Sequence, residues 1–403
     1  MGDGGFSAAR VRRLRGALAG HVDSGAVPGL VALIDRRGEV HAEALGARSQ
    51  GGPPIGQDTI FRIASLSKPI TAVAALILVE ECRLRLDEPV DRLLPELADR
   101  RVLRRPDGPV DDTVPAGRPI TVRDLLTFRM GFGILMQPPG SWPIQRAADE
   151  LALGQGMPHP ALPPEPDEWI RRLGSLPLIH QPGERWLYHT GSDVLGVLIA
   201  RAAGQPFEDF LRERIFEPLG MADTGFSVDE EQLHRLATSY WTPDPASDTL
   251  QVYDEADGGE WSRPPAFPSG GGGLVSTADD LLAFGRMLRG LGRYDGGRLL
   301  SRPTVETMVT DQLTDGQKAL SVISPGFFES HGWGFGVAVT TRRTTPVEPV
   351  GCYGWDGGLG TTWRVDPREE LVTVLLTQRA FTSPVPPPVC QDFWTATYQA
   401  IDD

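Results

Sequence analysis

The sequence predicts an α+β fold in which strands from both ends of the chain form one antiparallel sheet. Strand-like runs of apolar and β-branched residues occur near the N-terminus, at 29–35 and 39–45, and again near the C-terminus, at 361–365 and 371–376. Helical patterns dominate the residues between these runs and also occupy both termini. We therefore expect a sheet built from the two chain ends and flanked by terminal helices, with a helical part inserted between its strands.

The N-terminal elements are predicted to be a helix, a hairpin and a second, buried helix. Residues 6–23 have the pattern of an amphipathic helix, and the two strands that follow are joined by an Arg-Arg-Gly turn. Residues 70–79 contain neither Gly nor Pro and are rich in Ala and Leu, which indicates a buried helix. Pro69 lacks an N–H and is tolerated only in the first helical turn, so this helix begins near Ser65.

Caps and chain breakers predict the later elements. Thr121 is the N-cap of a short helix, and Ser276 or Thr277 caps a helix that runs to Leu288. The glycine run at 270–273 lacks the spacing of a phosphate-binding loop, and we expect it to allow a close approach of the backbone to another element. We also expect a helix at 206–217, a strand at 335–340 and a last helix after Pro388.

Two domains are predicted. Residues 1–60 and 230–403 are expected to form the sheet domain, and residues 61–229 a mainly helical domain. Within the latter, residues 134–168 are rich in Pro and Gly and lack strong periodicity, so we predict a lid-like loop there. The helix that begins near Ser65 falls where the two domains meet, which is a favoured place for a pocket.

The composition is that of a globular protein: 403 residues, of which 40% are hydrophobic and 23% charged. The net charge of −14 argues against nucleic acid and anionic membrane surfaces as partners. No apolar run is long enough to span a membrane and no signal peptide is recognised, so we expect a cytoplasmic location. The three cysteines are far apart and show no metal-binding spacing. We expect free thiols, no metal and no cofactor, and the oligomeric state is left open.

Ser65 and Lys68 are the residues that most directly indicate a catalytic function. They lie three positions apart at a helix start, so their side chains share one helix face, about 5–6 Å apart at Cβ. The 39 basic residues comprise 37 arginines and only two lysines, Lys68 and Lys318. Arginine cannot deprotonate in a protein, whereas a desolvated lysine shifts its pKa readily. A lysine kept in an apolar helix start therefore indicates a general base beside a serine nucleophile.

Two further sequence motifs accompany the serine–lysine pair. One is residues 182–196, with the triplet Tyr-His-Thr from Tyr188, and the other is residues 354–361, with Trp-Asp-Gly from Trp355. Together with the serine–lysine pair they resemble the serine hydrolases of the β-lactamase and penicillin-binding-protein superfamily, over roughly residues 10–380. The pattern is most like the class C β-lactamase-like branch, which includes family VIII esterases. The resemblance implies a β-lactamase/transpeptidase-like fold and acyl-enzyme chemistry.

The resemblance also implies a role for several residues. Ser65 would be the acylated nucleophile, and Lys68 the base that activates it. Tyr188 would pass a proton to the leaving group and assist deacylation. A tyrosine and a lysine are useful near neutral pH only if their pKa values are shifted, and each could shift the other in a desolvated cleft. The N–H groups of Ser65 and Gly358 would form the oxyanion hole.

Two departures from the family pattern bear on substrate choice. Thr190 stands where the family has the Asn of Tyr-x-Asn, and Trp355 stands where β-lactamases carry the Lys of Lys-Thr-Gly. With Gly357, these residues are predicted to contact substrate, and the lost cation favours a neutral ester over an anionic β-lactam. Strand alternation points Asp356 away from Trp355, and we assign it no role.

The sequence leaves several functions open. Cleavage of small carboxylic esters is the main expectation, with a small-molecule ester or amide as substrate. The alternatives are a β-lactamase, a D-amino-acid peptidase or amidase, an acyltransferase, and a non-catalytic binding protein on the same fold. The Gly-x-Ser-x-Gly elbow of Ser-His enzymes is absent, so His180, His189 and His331 are expected to be structural.

Overall fold

The computed structural model describes residues 4–243 and 249–403. Within these ranges the helices are α1 (Ala8–Asp23), α2 (Ser67–Glu80), α3 (Val122–Leu126), α4 (Pro143–Glu150), α5 (Pro166–Ser175), α6 (Thr190–Ala203), α7 (Phe207–Leu211), α8 (Glu217–Leu219), α9 (Ala278–Arg289), α10 (Arg302–Met308), α11 (Asp315–Ala319), α12 (Phe327–Ser330) and α13 (Pro388–Ala400). A 3₁₀ turn, Ala64–Leu66, precedes α2, and a π-helical turn, Arg212–Phe216, joins α7 to α8.

The strands of the same ranges are β1 (Gly29–Arg36), β2 (Glu39–Gly46), β3 (Phe61–Arg62), β4 (Arg101–Leu103), β5 (Thr113–Pro115), β6 (Ser239–Trp241), β7 (Gln251–Asp254), β8 (Val275–Ser276), β9 (Arg293–Tyr294), β10 (Gly297–Arg298), β11 (His331–Trp333), β12 (Ala338–Thr340), β13 (Tyr353–Gly357), β14 (Thr361–Asp366) and β15 (Leu371–Thr377). Seven of them form the central sheet, in the order β11-β12-β13-β14-β15-β1-β2. The remaining eight form four two-stranded pairs.

The central sheet joins the two ends of the chain. Every neighbouring pair of its strands is antiparallel. The C-terminal strand β15 lies beside the N-terminal strand β1, with Leu375 opposite Ala32. This arrangement confirms the predicted α+β class and the predicted origin of the sheet.

Helices cover both faces of the sheet. Because alternate residues of a strand point to opposite faces, Leu30 and Ala32 enter one core with residues of α1 and α13, while Val31 and Leu33 enter the other, larger core. Helix α9 packs against β1, β14 and β15, and its buried residues belong to the larger core. The larger core also contains the helices of the middle of the chain.

Helix α2 runs through the interior at the boundary between sheet and helices. Its residues from Ser67 to Leu78 are all buried. It packs against α6, and the 3₁₀ turn in front of it lies against β13 and β14. Ser65 is therefore held where β13 and β14, two interior strands of the sheet, meet the helical elements. The division into two domains, and the lid role of residues 134–168, stay predictions.

A buried ion pair fixes the strand that leads into this turn. Arg62, at the end of β3, is 3% exposed and donates from Nε to Asp254 Oδ2 at 2.7 Å. Its Nη2 also donates to the carbonyl oxygen of Glu255 at 2.8 Å. Since a charge removed from water must be compensated, this pair anchors the backbone three residues before Ser65.

The strand predicted at 335–340 was wrong in its first half. Only Ala338–Thr340 is a strand, and it pairs with His331–Trp333 as a hairpin. The Gly334 N–H donates to the Val337 carbonyl at 2.9 Å, and Gly336 has a φ of 73°. A left-handed glycine allows this tight reversal, which apolar periodicity alone does not reveal.

The segment 134–168 is not only a loop. It contains helix α4, which begins at Pro143 and buries Ile144 and Ala148. The side chain of Gln145 accepts the N–H of Trp142 at 2.9 Å and so closes the first turn. Two helical turns are too short to give a strong periodic signal, which explains why the sequence did not predict α4.

Candidate functional site

A cavity of about 340 Å³ opens beside the start of α2. Its wall combines Ser65 with the end of β13, residues of the segment 134–158, and residues 381–384. Apolar side chains dominate this wall: Ile134, Met136, Met157, Ile323, Phe381. Among the described residues that line the cavity there is no lysine or arginine.

Ser65 and Lys68 meet at one end of this cavity. Lys68 Nζ lies 2.9 Å from Ser65 Oγ, a contact that the i,i+3 spacing predicted. Lys68 itself is fully buried, whereas Ser65 is partly exposed to the cavity. Burial lowers the pKa of Lys68 to about 7, against the opposing influence of the Asp193 carboxylate. A large share of this lysine is therefore uncharged near neutral pH and can accept a proton.

The local backbone aims Ser65 at the cavity. Ala64 has a φ of 45°, an uncommon conformation for a residue with a side chain. Ser67 holds this turn, because its hydroxyl donates to the Ala64 carbonyl at 2.7 Å and accepts the Leu274 N–H at 3.1 Å. Strained backbone of this kind is typical of functional sites.

The glycine run at 270–273 makes the close approach that the sequence predicted. The Gly270 carbonyl accepts from Thr71 Oγ1 at 2.9 Å, and the Gly271 carbonyl accepts from Lys68 Nζ. A Cβ on Gly270 would lie 2.5 Å from the Ser192 carbonyl oxygen. The helix that follows the run is capped by Thr277, which accepts the N–H of Asp280.

Tyr188 stands over the pair and is held by Trp355. The Lys68 ammonium position lies 4.5 Å from the centre of the Tyr188 ring. The indole Nε1 of Trp355 donates to Tyr188 Oη at 2.5 Å. Trp355 therefore supplies a neutral N–H to the tyrosine, at the position where β-lactamases carry a lysine. The sequence predicted a contact with substrate for Trp355, but not this hydrogen bond.

Burial separates the pKa values of the two groups. It lowers that of Lys68, because the ammonium form is charged, and raises that of Tyr188, because the phenolate form is charged. Hydrogen bonds with Ser65 and Trp355 only partly oppose the rise in Tyr188. The expectation that both groups are shifted toward neutral pH was therefore wrong for Tyr188, which stays a protonated hydrogen-bond donor.

His189 reaches Lys68 from the other side, which the sequence did not predict. Its Nδ1 lies 3.2 Å from Lys68 Nζ, and its Nε2 lies 3.1 Å from Asp193 Oδ2. Asp193 accepts from Ser269 Oγ at 2.6 Å and from the Gly271 N–H at 2.9 Å. Burial lowers the pKa of His189, with Lys68 acting in the same direction, so the imidazole is neutral. The one available signal was an Asp four residues after the His, one helical turn on.

Gly357 and Gly358 differ in what surrounds them. A Cβ on Gly357 would lie 2.2 Å from the carbonyl oxygen of Ile63, so this glycine permits close packing against the backbone that leads to Ser65. Gly358 lines the cavity, and a Cβ there would meet nothing within 4 Å. The Phe381 N–H donates to the Gly358 carbonyl at 2.8 Å and fixes this part of the backbone. Ser65 and Gly358 thus border the same space, as an oxyanion hole requires.

Thr190 does not line the cavity with these residues. It is fully buried at the start of α6, and its hydroxyl donates to Gln155 Oε1 at 2.8 Å. The first helical turn points this side chain inward. A direct contact of Thr190 with substrate stays a prediction that this placement does not favour.

Asp356 of β13 borders the cavity, and its charge is compensated from the neighbouring strand. Arg364 of β14 lies 2.9 Å from each of its carboxylate oxygens. Arg364 also pairs with Glu348 at 2.8 Å and stacks over Trp394 of α13. The guanidinium is thus fully engaged and is not offered to the cavity as a free cation.

The other predicted histidines lie elsewhere. His180 is next to Glu184, at 3.8 Å, and burial lowers its pKa to about 4. His331 stacks on Phe327 and lies 3.6 Å from Glu348. All three cysteines are free thiols. Within residues 4–243 and 249–403, no group of three or more His, Cys, Asp or Glu could hold a metal ion.

Comparison with known proteins identifies the family. The model of the Beta-lactamase family matches residues 14–387. The chain belongs to the Beta-lactamase family. Esterase EstB of Burkholderia gladioli is 33% identical to this family member over 371 residues, which cover 88% of this chain and 86% of EstB. Protein Rv1367c of Mycobacterium tuberculosis is 39% identical over 363 residues, which cover 88% of this chain and 87% of that protein.

Solved structures show the same fold. EstCE1, described as a hydrolase with promiscuous acyltransferase activity, superposes with a TM-score of 0.79 at 27% identity, and the match covers 97% of this chain and 98% of EstCE1. This Beta-lactamase family member therefore has the β-lactamase/transpeptidase-like fold and is a serine hydrolase. In the part of the chain that the structure describes, no helix is both long and apolar enough to cross a membrane.

Proposed function

We propose that this enzyme hydrolyses small carboxylic esters through an acyl-enzyme on Ser65. The observation that carries the proposal is the 2.9 Å contact between Lys68 Nζ and Ser65 Oγ beside a largely apolar cavity. A buried lysine with a pKa of about 7 can take the serine proton at neutral pH, which an exposed lysine cannot do. The esterase relative EstB supports the choice of esters.

In acylation, Lys68 removes the proton of Ser65 Oγ as this oxygen attacks the carbonyl carbon of the ester. The carbonyl π electrons move onto its oxygen, and the N–H groups of Ser65 and Gly358 stabilise that charge. Collapse of the tetrahedral intermediate breaks the bond to the alcohol oxygen, which takes a proton from Tyr188. Tyr188 regains a proton from the Lys68 ammonium. The products are acylated Ser65, the free alcohol and neutral Lys68.

Deacylation repeats these steps with water in place of the alcohol. Lys68 takes a proton from water as the water oxygen attacks the acyl carbon, and Tyr188 relays this proton from the water to the lysine. The bond to Ser65 Oγ then breaks, and Oγ takes a proton from the Lys68 ammonium through Tyr188. The products are the free acid, the Ser65 hydroxyl and neutral Lys68. The raised pKa of Tyr188 suits this role, because a protonated phenol is the form that donates to a departing oxygen.

The cavity supports a neutral substrate. Trp355 donates a neutral N–H where β-lactamases have a lysine, and the nearby Arg364 is paired with Asp356 and Glu348. A substrate carboxylate would therefore meet no free cation among the described cavity residues and would lose its hydration. A volume of about 340 Å³ suits a small acyl group and a small alcohol.

Acyl transfer is a second candidate because the structurally similar EstCE1 is described as a hydrolase with acyltransferase activity. The same acyl-enzyme on Ser65 would pass its acyl group to an alcohol or amine instead of water. Product analysis with increasing concentrations of an added alcohol separates the two. Hydrolysis alone predicts free acid as the only acyl product, and transfer predicts a new ester that grows with the alcohol.

A paired assay tests the proposed function. Purified protein is mixed with p-nitrophenyl butyrate and, separately, with a chromogenic cephalosporin, and Ser65→Ala is the matched control. We expect turnover of the ester, slow or no turnover of the cephalosporin, and neither in the variant. Cephalosporin turnover as efficient as ester turnover would contradict the argument from Trp355 and Arg364.

Residence in the cytoplasm is part of the proposal. Three free cysteines are typical of a reducing compartment and so support it. Fractionation of cells followed by immunoblotting tests it, and recovery of the protein outside the cytoplasmic fraction would contradict it.

A further inference from the structure

The surroundings of Lys68 Nζ contain more than the serine it is expected to activate. Three atoms lie within hydrogen-bond distance: Ser65 Oγ at 2.9 Å, His189 Nδ1 at 3.2 Å, and the Gly271 carbonyl oxygen. A neutral amine has two N–H bonds and one lone pair to distribute among them. A carbonyl oxygen can only accept, so the Gly271 oxygen takes one N–H. The tautomer of His189 then decides where the lone pair points.

Asp193 sets that tautomer. Burial opposes ionisation of Asp193, but the hydrogen bonds from His189, Ser269 and Gly271 leave its pKa lowered, so it is a carboxylate. A carboxylate only accepts, and its Oδ2 lies 3.1 Å from His189 Nε2. The proton of the neutral imidazole is therefore on Nε2. The Nδ1 atom, 3.2 Å from Lys68 Nζ, presents its lone pair and accepts the second N–H of the lysine.

We propose that His189 and Asp193 are positioning residues that orient the lone pair of Lys68 toward Ser65. With the Gly271 oxygen and His189 Nδ1 each accepting one N–H, the remaining direction of Nζ faces Ser65 Oγ. After proton transfer, the ammonium keeps all three contacts, and the charge of Asp193 lies behind the imidazole. This inference rests on the proposed role of Lys68 as a base.

The backbone is built to bring these groups together. His189 has a φ of 85° and is 6% exposed, so a residue with a side chain is held in a strained conformation inside the protein. A Cβ on Gly271 would lie 2.9 Å from both Asp193 Oδ1 and His189 Cε1. Only a glycine there lets the imidazole and the carboxylate approach the lysine. A merely packed histidine would require neither feature.

Two substitutions distinguish an effect of the His189 tautomer from an effect of side-chain packing. Asp193→Asn keeps the size of the side chain, but its amide donates to His189 Nε2, so the imidazole proton moves to Nδ1 and points at Lys68. The lone pair of Lys68 then turns from Ser65 toward that N–H. His189→Asn keeps an acceptor close to the position of Nδ1 and tolerates a positive φ. The asparagine side chain has no tautomers, so Asp193 cannot change which of its atoms faces Lys68 in this way.

Steady-state kinetics with p-nitrophenyl butyrate at pH 8 give the first readout. We expect Asp193→Asn to lower kcat/KM about 100-fold and His189→Asn less than about tenfold. In the double variant, the further effect of Asp193→Asn should be less than about threefold, because the imidazole through which it acts is gone. An equal effect of Asp193→Asn in both backgrounds would overturn the proposal.

Rescue by the conservative variant gives a second test that does not depend on Asp193→Asn folding. His189→Ala removes the acceptor and should lower kcat/KM about 100-fold, whereas His189→Asn should restore most of that loss. Circular dichroism confirms that both variants are folded before they are compared. Equal activity of the Ala and Asn variants would contradict a role for the acceptor.

A third readout does not require turnover. The chain has only two lysines, so ε-¹³C-lysine labelling of a Lys318→Arg protein reports on Lys68 alone. Lys318 pairs with Asp311, and arginine preserves that pair. Asp193 is the charged group that acts on Lys68, whereas the neighbouring Tyr188 and His189 are neutral. Its replacement by Asn should lower the titration midpoint of Lys68 by about one pH unit or more, and an unchanged midpoint would overturn the coupling.

Failure of this inference is distinguishable from failure of the proposed function. Ser65→Ala tests the ester chemistry alone, and turnover in that variant would reject the acyl-enzyme whatever the histidine does. The Lys68 titration tests the hydrogen-bond network alone. Loss of activity in Ser65→Ala together with an unchanged Lys68 titration in Asp193→Asn would keep the proposed function and reject the positioning role.

Discussion

Acidification should switch off ester turnover by protonating Lys68. Burial lowers the pKa of this lysine to about 7, and only the uncharged amine can accept the proton of Ser65. The uncharged fraction is about one half at pH 7, about one tenth at pH 6 and about one hundredth at pH 5. We therefore expect kcat/KM to rise about tenfold per pH unit below 7, to level off above about 8, and to be about 100-fold lower at pH 5 than on the plateau.

Neighbouring groups should not distort this profile. Burial raises the pKa of Tyr188, which stays protonated as the base titrates, and lowers the pKa of His189, which moves protonation of the imidazole to lower pH. The Asp193 carboxylate, whose pKa is lowered, stays charged. Protonation of Lys68 is therefore expected to dominate the acid side of the curve.

The assay is hydrolysis of a p-nitrophenyl ester at constant ionic strength, followed at a wavelength where nitrophenol and nitrophenolate absorb equally. Enzyme held at each pH and returned to pH 8 before assay controls for unfolding. A profile that is flat from pH 5 to 8, with full activity retained, would refute the assignment of Lys68 as the base.

Lys68→Arg tests the same assignment by substitution. Arginine keeps the positive charge and much of the size, but it does not deprotonate in a protein. We expect kcat/KM to fall by at least about 10³-fold, nearly as far as in Ser65→Ala, while the variant remains folded by circular dichroism. Turnover within about tenfold of the parent protein would show that another group serves as the base.

Three further predictions concern the surroundings of the site. Trp355→Phe removes the N–H that donates to Tyr188 at 2.5 Å, so kcat should fall about fivefold to tenfold with little change in KM; an unchanged kcat would contradict a role for that bond. Gly357→Ala places a Cβ against backbone and should lower Tm, whereas a Cβ on Gly358 meets nothing within 4 Å and Gly358→Ala should leave Tm nearly unchanged; equal losses of Tm in the two variants would contradict this reasoning. Asp254→Ala leaves its buried arginine partner uncompensated and should lower the unfolding free energy by about 3–5 kcal/mol in urea titrations, so a loss below about 1 kcal/mol would argue against this account.

The parts of the site that depend on local geometry could be predicted from the sequence. Ser65 and Lys68 share a helix face by their spacing, and the rarity of lysine in an arginine-rich chain marked Lys68. Tyr188 and Trp355 are far from this pair in sequence, and only the resemblance to a family placed them beside it. The structure brings all four together and adds the hydrogen bond between the last two.

The position of His189 could not be predicted because it depends on an unusual backbone angle. Adjacent side chains normally diverge, yet the φ of 85° at His189 lets both it and Tyr188 reach Lys68. The opposite directions of the Lys68 and Tyr188 pKa shifts could not be predicted from the sequence either. Closeness of Lys68 and Tyr188 is enough to expect that each affects the pKa of the other. How deeply the two side chains are buried, which sets the direction of each shift, is known only from the folded structure.

In the fold, too, elements with long sequence patterns were predicted, and elements that depend on a short turn or a single backbone angle were not. Strands β1, β2, β14 and β15 carry long apolar patterns and were predicted within a residue or two. Helix α4 has only two turns, and the β11–β12 hairpin turns at Gly336, a residue whose left-handed conformation does not follow from composition. Thr190 was predicted to contact substrate by analogy, but its place at the start of α6 directs it inward.

The most direct test of the account is to trap the acyl group on Ser65. Protein is mixed with excess p-nitrophenyl butyrate, quenched in acid within the first turnovers and examined by intact-mass and peptide mass spectrometry. The account predicts one added butyryl group, located on the peptide that contains Ser65 and absent from Ser65→Ala. Ester turnover with no acylated protein, or acylation that persists at another residue in Ser65→Ala, would contradict it.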